Sequence, residues 1–326
     1  MTVVMKSKAL DTALPYAGDT PSGRAAVAAA LNLLDDRRPG ARGEARELLD
    51  ALAAAVPTDK AHVVGITGPP GVGKSTLTGA LIRHWRSEGR SVGILAVDPS
   101  SPVGGGALLG DRLRMLAAAE DDGVFIRSLA DRRAVGGLSD EVWPMCQVLI
   151  AAFDVVIVET VGVGQRDVDV THLADTTCLV AQPFAGDMVQ FLKAGILEVP
   201  QVIAVNKTDL GQDWEGTVAE IAAVSAAGHG GWTTKVVPTS ARNAIGIADL
   251  ATALDAHHTW LSTDGRLAAQ RRNASADWVL RMLAAEFGRY GIETLGGEAA
   301  LRARLADSPG SALAQIEALT TQLTGT

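Results

Sequence analysis

The chain has 326 residues, enough for one large domain or one domain with substantial additions. Its 47% hydrophobic and 20% charged residues suit a globular protein with a sizeable core. The net charge of −8, with both signs dispersed, argues against a general nucleic-acid binder, and two cysteines argue against a disulfide framework.

Residues 1–16 lack the continuous apolar core of a signal peptide, and no run approaches membrane-spanning length. A reducing cytoplasm is the expected location, with no membrane partner. Ala and Leu recur at helical spacing over 23–34 and 41–56, broken by Arg38-Pro39-Gly40, which predicts a helical hairpin. From residue 61 short apolar runs alternate with helical segments. Strands are predicted at 63–67, 92–97, 155–158, 178–181, 202–205 and 236–238, and amphipathic helices at 75–88, 214–226 and 247–261. Most strand candidates are apolar at consecutive positions, as strands buried on both faces of a parallel sheet must be. The expected fold is therefore a doubly wound, mainly parallel α/β domain with its ligand site at the carboxyl ends of the strands. After Trp260 the strands stop, and helices are predicted at 274–290 and 298–323 around a Gly-rich hinge at 291–297. The chain divides into an N-terminal helical extension (1–57), a P-loop domain (58–262) and a C-terminal helical arm (263–326).

The strongest motif is Gly68-Pro69-Pro70-Gly71-Val72-Gly73-Lys74-Ser75-Thr76, which fits G-x-x-x-x-G-K-[ST] between a predicted strand and a predicted helix. Glycines let backbone N–H groups converge on phosphate oxygens, and the helix start adds a positive end. Lys74 is expected at the β- and γ-phosphates and the Ser75 hydroxyl at Mg²⁺.

A P-loop does not choose between ATP and GTP. Asn206-Lys207-Thr208-Asp209, directly after a strand, makes that choice. Guanine offers N1–H and a 2-amino group as adjacent donors that the Asp209 carboxylate can accept, whereas adenine leaves the carboxylate without its partners. Lys207 is expected along the base, and Asn206 is expected to tie this loop to the P-loop. Thr239-Ser240-Ala241-Arg242 matches the second guanine loop, whose backbone contacts the base O6.

On the metal side, Glu159-Thr160-Val161-Gly162 follows a strand and supplies a carboxylate, with Gly162 able to approach the γ-phosphate. Asp98 is a second candidate ligand, and Mg²⁺ takes one or two carboxylates with water and phosphate. Ras-like enzymes carry a water-orienting glutamine right after this glycine. Val163 stands there instead, which predicts slow intrinsic hydrolysis that a partner stimulates.

These residues together resemble the MeaB/ArgK family, the methylmalonyl-CoA mutase-associated GTPases. The resemblance is carried by Val97-Asp98-Pro99-Ser100-Ser101-Pro102, Gly110-Asp111-Arg112-Leu113-Arg114-Met115, Glu159 to Gln165, Ala185-Gly186-Asp187 and Asn206 to Asp209, in order and spacing. It implies that Asp98, Asp111 and Glu159 surround Mg²⁺. It implies switches around 104–115 and 162–167, and a third near 186–193 with Asp187 and Lys193 at the matching positions. It further implies a chaperone that gates adenosylcobalamin delivery to methylmalonyl-CoA mutase and protects that enzyme, working as a homodimer paired through C-terminal helices. The alternatives are a kinase of a lysine/arginine/ornithine transport system, against which the guanine-reading Asp209 counts, and a metal-delivery GTPase, which needs a metal-binding cluster.

The six histidines form no cluster in the sequence, and His257-His258 is expected on a solvated helix face. Cys146 and Cys178 sit in apolar runs and are expected in the core.

Overall fold

The structure is a computed structural model that describes residues 21–36, 38, 40–57, 59, 61–99, 121–131, 140–160, 170–183, 200–211, 214–225, 230–308 and 310–325. Two helices come first, α1 (Pro21–Asp35) and α2 (Ala41–Ala55). Next come β1 (His62–Thr67), α3 (Lys74–Ser87), β2 (Val92–Pro99), β3 (Val124–Asp131), α4 (Val142–Ala152) and β4 (Val155–Thr160). The sheet is completed by β5 (Thr176–Ala181), β6 (Val202–Val205), α5 (Trp214–Ser225), β7 (Lys235–Pro238) and α6 (Ile247–Ser262). Three helices close the order: α7 (Arg266–Thr294), α8 (Glu298–Asp307) and α9 (Ala312–Thr324).

Among the described residues seven strands form one sheet in the order β3-β2-β4-β1-β5-β6-β7, and these pairings are all parallel. The period-two alternation of side chains explains the unbroken apolar runs. In β1, Val64 and Ile66 join the core beneath α3 and α6, while Val63 faces the other way, into a core with α1, α2 and α4. β4 does the same, with Val155 and Ile157 on one face and Val156 and Val158 on the other. The expected hairpin of α1 and α2 forms, and its Val27, Leu31, Leu49 and Leu52 are buried in that second core. α7, α8 and α9 build a third core around Val279, Leu283, Leu301 and Ile316.

The structure departs from expectation in three places. β3 was not predicted: it is an edge strand, and Arg127 and Ser128 interrupt its apolar run where only β2 pairs with it. α4 was also missed, because nine of its eleven residues are buried and a helix apolar all round has no polar face to set a period. At the carboxyl end, α7 begins earlier and ends later than 274–290, with non-helical backbone at Gly288 inside it, and the stretch 298–323 is two helices rather than one. The Ser311 Oγ caps α9 by accepting from the Ala314 amide. Among the described residues no helix is long and apolar enough to cross a membrane.

Candidate nucleotide-binding site

The loop between β1 and α3 leaves the sheet from its central strand. Gly68 takes φ 139°, and a Cβ there would collide with the Val180 carbonyl of β5. Gly73 takes φ 95° at the start of α3, where a Cβ would sit 2.6 Å from the Asn206 side-chain nitrogen. Both positions need glycine for conformation and for close approach. The loop wraps its own lysine: Lys74, 7% exposed, donates from Nζ to the carbonyls of Gly68 at 2.7 Å and Pro69 at 2.9 Å. A cation is thereby fixed inside a ring of backbone at a helix N-terminus, an arrangement that can bind phosphate.

Asn206 is the junction of the site. It follows β6, is 2% exposed, and donates from Nδ2 to Val72 O in the phosphate loop at 2.9 Å. Its Oδ1 accepts from the Ala241 amide at 3.0 Å and from the Thr239 hydroxyl at 3.4 Å in the loop after β7. Lys207 Nζ reaches back to Gly71 O at 2.5 Å, and its backbone has φ 68°. The Thr208 amide and hydroxyl both donate to Thr239 O at 3.1 Å. The Asp209 carboxylate accepts from the Ser240 hydroxyl at 2.6 Å. That bond, ahead of smaller contributions from Arg242 and Lys207, holds Asp209 below the ordinary carboxylate range, so it is ionised at neutral pH. Three loops separated in sequence thus form one hydrogen-bonded unit. The Ser240 side-chain bond to Asp209 adds to the backbone role expected of this loop; its signal in the sequence is a hydroxyl residue close after a strand end.

On the other side of the phosphate loop the Ser75 hydroxyl donates to Glu159 Oε1 at 2.8 Å, and Glu159 is fully buried in β4. A hydroxyl and a carboxylate side by side are hard oxygen donors that could share a Mg²⁺ ion, so the residues present fit that group. Gly68 to Thr76, Glu159, Asn206 to Asp209 and Ser240 to Arg242 are all described and lie on neighbouring strand ends. The Asp98 side chain, Asp111, Gly162, Asp187 and Lys193 lie outside the described residues, as do all three expected switches.

At the amino ends of the same strands one expectation fails. His257 is 2% exposed, and with His62 and His258 it forms a cluster. Thr176 Oγ1 lies 2.8 Å from both His62 Nε2 and His257 Nδ1, and the His62 ring stacks on His258 at 4.4 Å. α6 crosses the start of β1 and β5, which turns the expected solvated face inward. Burial, then the neighbouring His62, pushes His257 down to about 3 and His258 to about 4. Beside them the Asp175 carboxylate pairs with Arg271 of α7 at 2.6 Å and accepts from the Val63 amide at 2.8 Å. The cysteines are in the core as expected, and burial raises both thiols to about 12.

Comparison with known proteins gives a consistent result. The family profile described as methylmalonyl Co-A mutase-associated GTPase MeaB matches residues 27–289. A Mycobacterium tuberculosis protein described as a probable GTPase is 37% identical over 266 residues, 80% of this chain and 79% of that one. The Escherichia coli protein named GTPase ArgK is 34% identical over 292 residues, 83% of this chain and 86% of that one. A crystal structure of an LAO/AO transport system kinase superposes with a TM-score of 0.63 at 27% identity, covering 98% of each chain.

Proposed function

The chain belongs to the MeaB family of methylmalonyl Co-A mutase-associated GTPases and is itself a GTP-binding, GTP-hydrolysing protein, and from that premise we propose that it is a slow, partner-stimulated switch that escorts methylmalonyl-CoA mutase. On this reading it gates adenosylcobalamin delivery to that enzyme and protects it. It works as a cytoplasmic homodimer, paired through the C-terminal helical arm (263–326), with the P-loop domain at 58–262 and the helical extension at 1–57.

The observation that carries the nucleotide chemistry is the Asn206 junction, which fixes the phosphate loop at Val72 and the second base loop at Ala241 with one side chain. With both loops so fixed, the ionised Asp209 accepts the N1–H and 2-amino group of guanine, and the Ala241 backbone meets O6. Lys207 lies along the base. Pro69 to Thr76 wrap the phosphates with main-chain amides, and Lys74 donates to the β- and γ-phosphates from its place on the loop carbonyls. Ser75 and Glu159 would hold Mg²⁺, joined by Asp98 and Asp111 if the family likeness carries over. An ion held there would supply positive charge against the phosphates. Gly162 approaches the γ-phosphate, and Val163 in place of a water-orienting glutamine leaves hydrolysis slow until a partner completes the site. Asp187 and Lys193 belong to the third switch, through which the mutase senses the nucleotide.

Steady-state phosphate release from GTP, with and without methylmalonyl-CoA mutase and with ATP as control, tests this reading. A slow, GTP-specific rate that rises with the mutase is expected. A rate indifferent to the mutase overturns the client, and equal turnover of ATP overturns the base-reading roles.

A further inference from the structure

A second cavity lies away from the nucleotide, where the N-terminal and C-terminal helices meet the sheet. Its volume is about 300 Å³. Three helices turn one face each toward it at helical spacing. α2 offers Leu49, Leu52 and Ala53, followed by Val56 just past its end, α4 offers Trp143, Gln147 and Ile150, and α7 offers Ala268, Arg271, Arg272 and Ser275. Val63 of β1, Leu173 and the start of α9 at Gly310, Ser311 and Ala312 also line it.

The wall sorts by chemistry. α2 and most of α4 are apolar, and Trp143 is held rigid by stacking on Trp278 at 4.9 Å. The polar groups are Gln147, Arg271, Arg272, Ser275 and Ser311, and the Ser311 hydroxyl is already taken by the Ala314 amide. Arg271 is neutralised by Asp175 at 2.6 Å and also donates to Ala61 O. Among the described residues no hydrogen bond or ion pair engages the side chains of Gln147, Arg272 or Ser275. An amide, a guanidinium and a hydroxyl can all donate, and Arg272 brings a positive charge that no lining carboxylate offsets. A volume near the lower bound of small-molecule sites, about 300–1,000 Å³, with an apolar body and a few placed donors has the anatomy of a ligand pocket rather than a packing fault.

We propose that this cavity binds a medium-chain monocarboxylate, its apolar chain against α2 and α4 and its carboxylate on Arg272 with Gln147 and Ser275. The site is independent of GTP, and its occupant joins the two helical extensions to the sheet, so binding stabilises the fold as any native-state ligand does.

Isothermal titration of the full chain with octanoate, octanol and octylamine tests the proposal. Saturable octanoate binding is expected, with the alcohol and the amine about tenfold weaker or worse for want of the charged hydrogen bonds. Arg272→Glu, an exposed position outside the nucleotide site, is expected to bring octanoate down to the level of octanol while GDP binding is unchanged. Ala268→Trp, which fills the cavity, is expected to remove octanoate binding altogether. Absence of saturable octanoate binding, equal binding of octanol, or octanoate binding that survives Arg272→Glu unweakened overturns the proposal. Arg272→Glu keeps the test decisive if the tryptophan variant does not fold.

Discussion

The two ends of the central strands are both polar and both buried, yet they are built differently. At the amino ends most of the polar groups satisfy one another, although the buried His258 Nδ1 has no hydrogen-bond partner among the described residues. Asp175 is held by Arg271 and the Val63 amide, Thr176 lies between His62 and His257, and Asp255 takes Arg90 at 2.8 Å and His62 at 3.4 Å. At the carboxyl ends the side chains instead bind main-chain carbonyls, Lys74 those of its own loop and Asn206 and Lys207 those of that same loop from across the site. The first arrangement closes on itself and locks α6 and α7 to the sheet. The second fixes charge and shape while keeping Asp209 ionised at the surface. Burial of charge alone therefore does not mark a binding site; side chains that brace backbone against positive-φ glycines do.

The comparison breaks most sharply at Asp175. Asp175→Ala leaves the Arg271 guanidinium buried without its carboxylate, and breaking such a pair costs about 3–5 kcal/mol. Denaturant unfolding should show that loss while nucleotide affinity at low temperature changes little. The reciprocal change at the other end is Lys74→Ala. It removes charge-assisted hydrogen bonds worth about 1.5–3 kcal/mol each, so GDP affinity should fall at least about a hundredfold with the melting temperature nearly constant. Equal stability losses from both variants would erase the distinction between the ends.

Asp209→Asn sharpens the contrast further. GTP affinity should drop by about 1–3 kcal/mol, and xanthosine nucleotides should gain, because the amide donates where the carboxylate accepted. Competition binding with both nucleotides measures the exchange. The mildest effect is that of pH. Burial holds His257 and His258 well below the 6.5 of an exposed histidine, so the unfolded chain takes up protons first. Stability should be level above about pH 6.5 and fall toward pH 4, by about 1.4 kcal/mol per pH unit for His257 and less for the more exposed His258. A His257→Gln variant should flatten that slope in pH-dependent unfolding.

What the sequence shows depends on how far apart the partners lie. The P-loop and Asn206 to Asp209 are contiguous, so their spacing carries the chemistry, and six strands declare themselves by apolar residues at consecutive positions. β3 carries Arg127 at the sheet edge and hides, and α4 is apolar on every side and shows no period. The histidine cluster was invisible for another reason. His62 meets Asp255 across 193 residues, and neither helical spacing nor hydropathy encodes which strand start α6 will cover. The Ser240 bond to Asp209 was hidden in the same way, by a separation of 31 residues between two loops.

The clasp between α2 and α9 has a consequence for how the chain is made. Arg46 meets Glu317 at 2.6 Å across 271 residues, and the Asp50 carboxylate receives the Ser311 amide across 261. At about 5–20 residues per second a ribosome exposes α2 on the order of ten to fifty seconds before its partner emerges. Through that interval the side of α2 destined for α9 has to stay soluble without it. Arg46, Glu47 and Asp50 give that helix charged positions that water can solvate meanwhile. The polar clasp thus serves the nascent chain first and the folded protein afterwards.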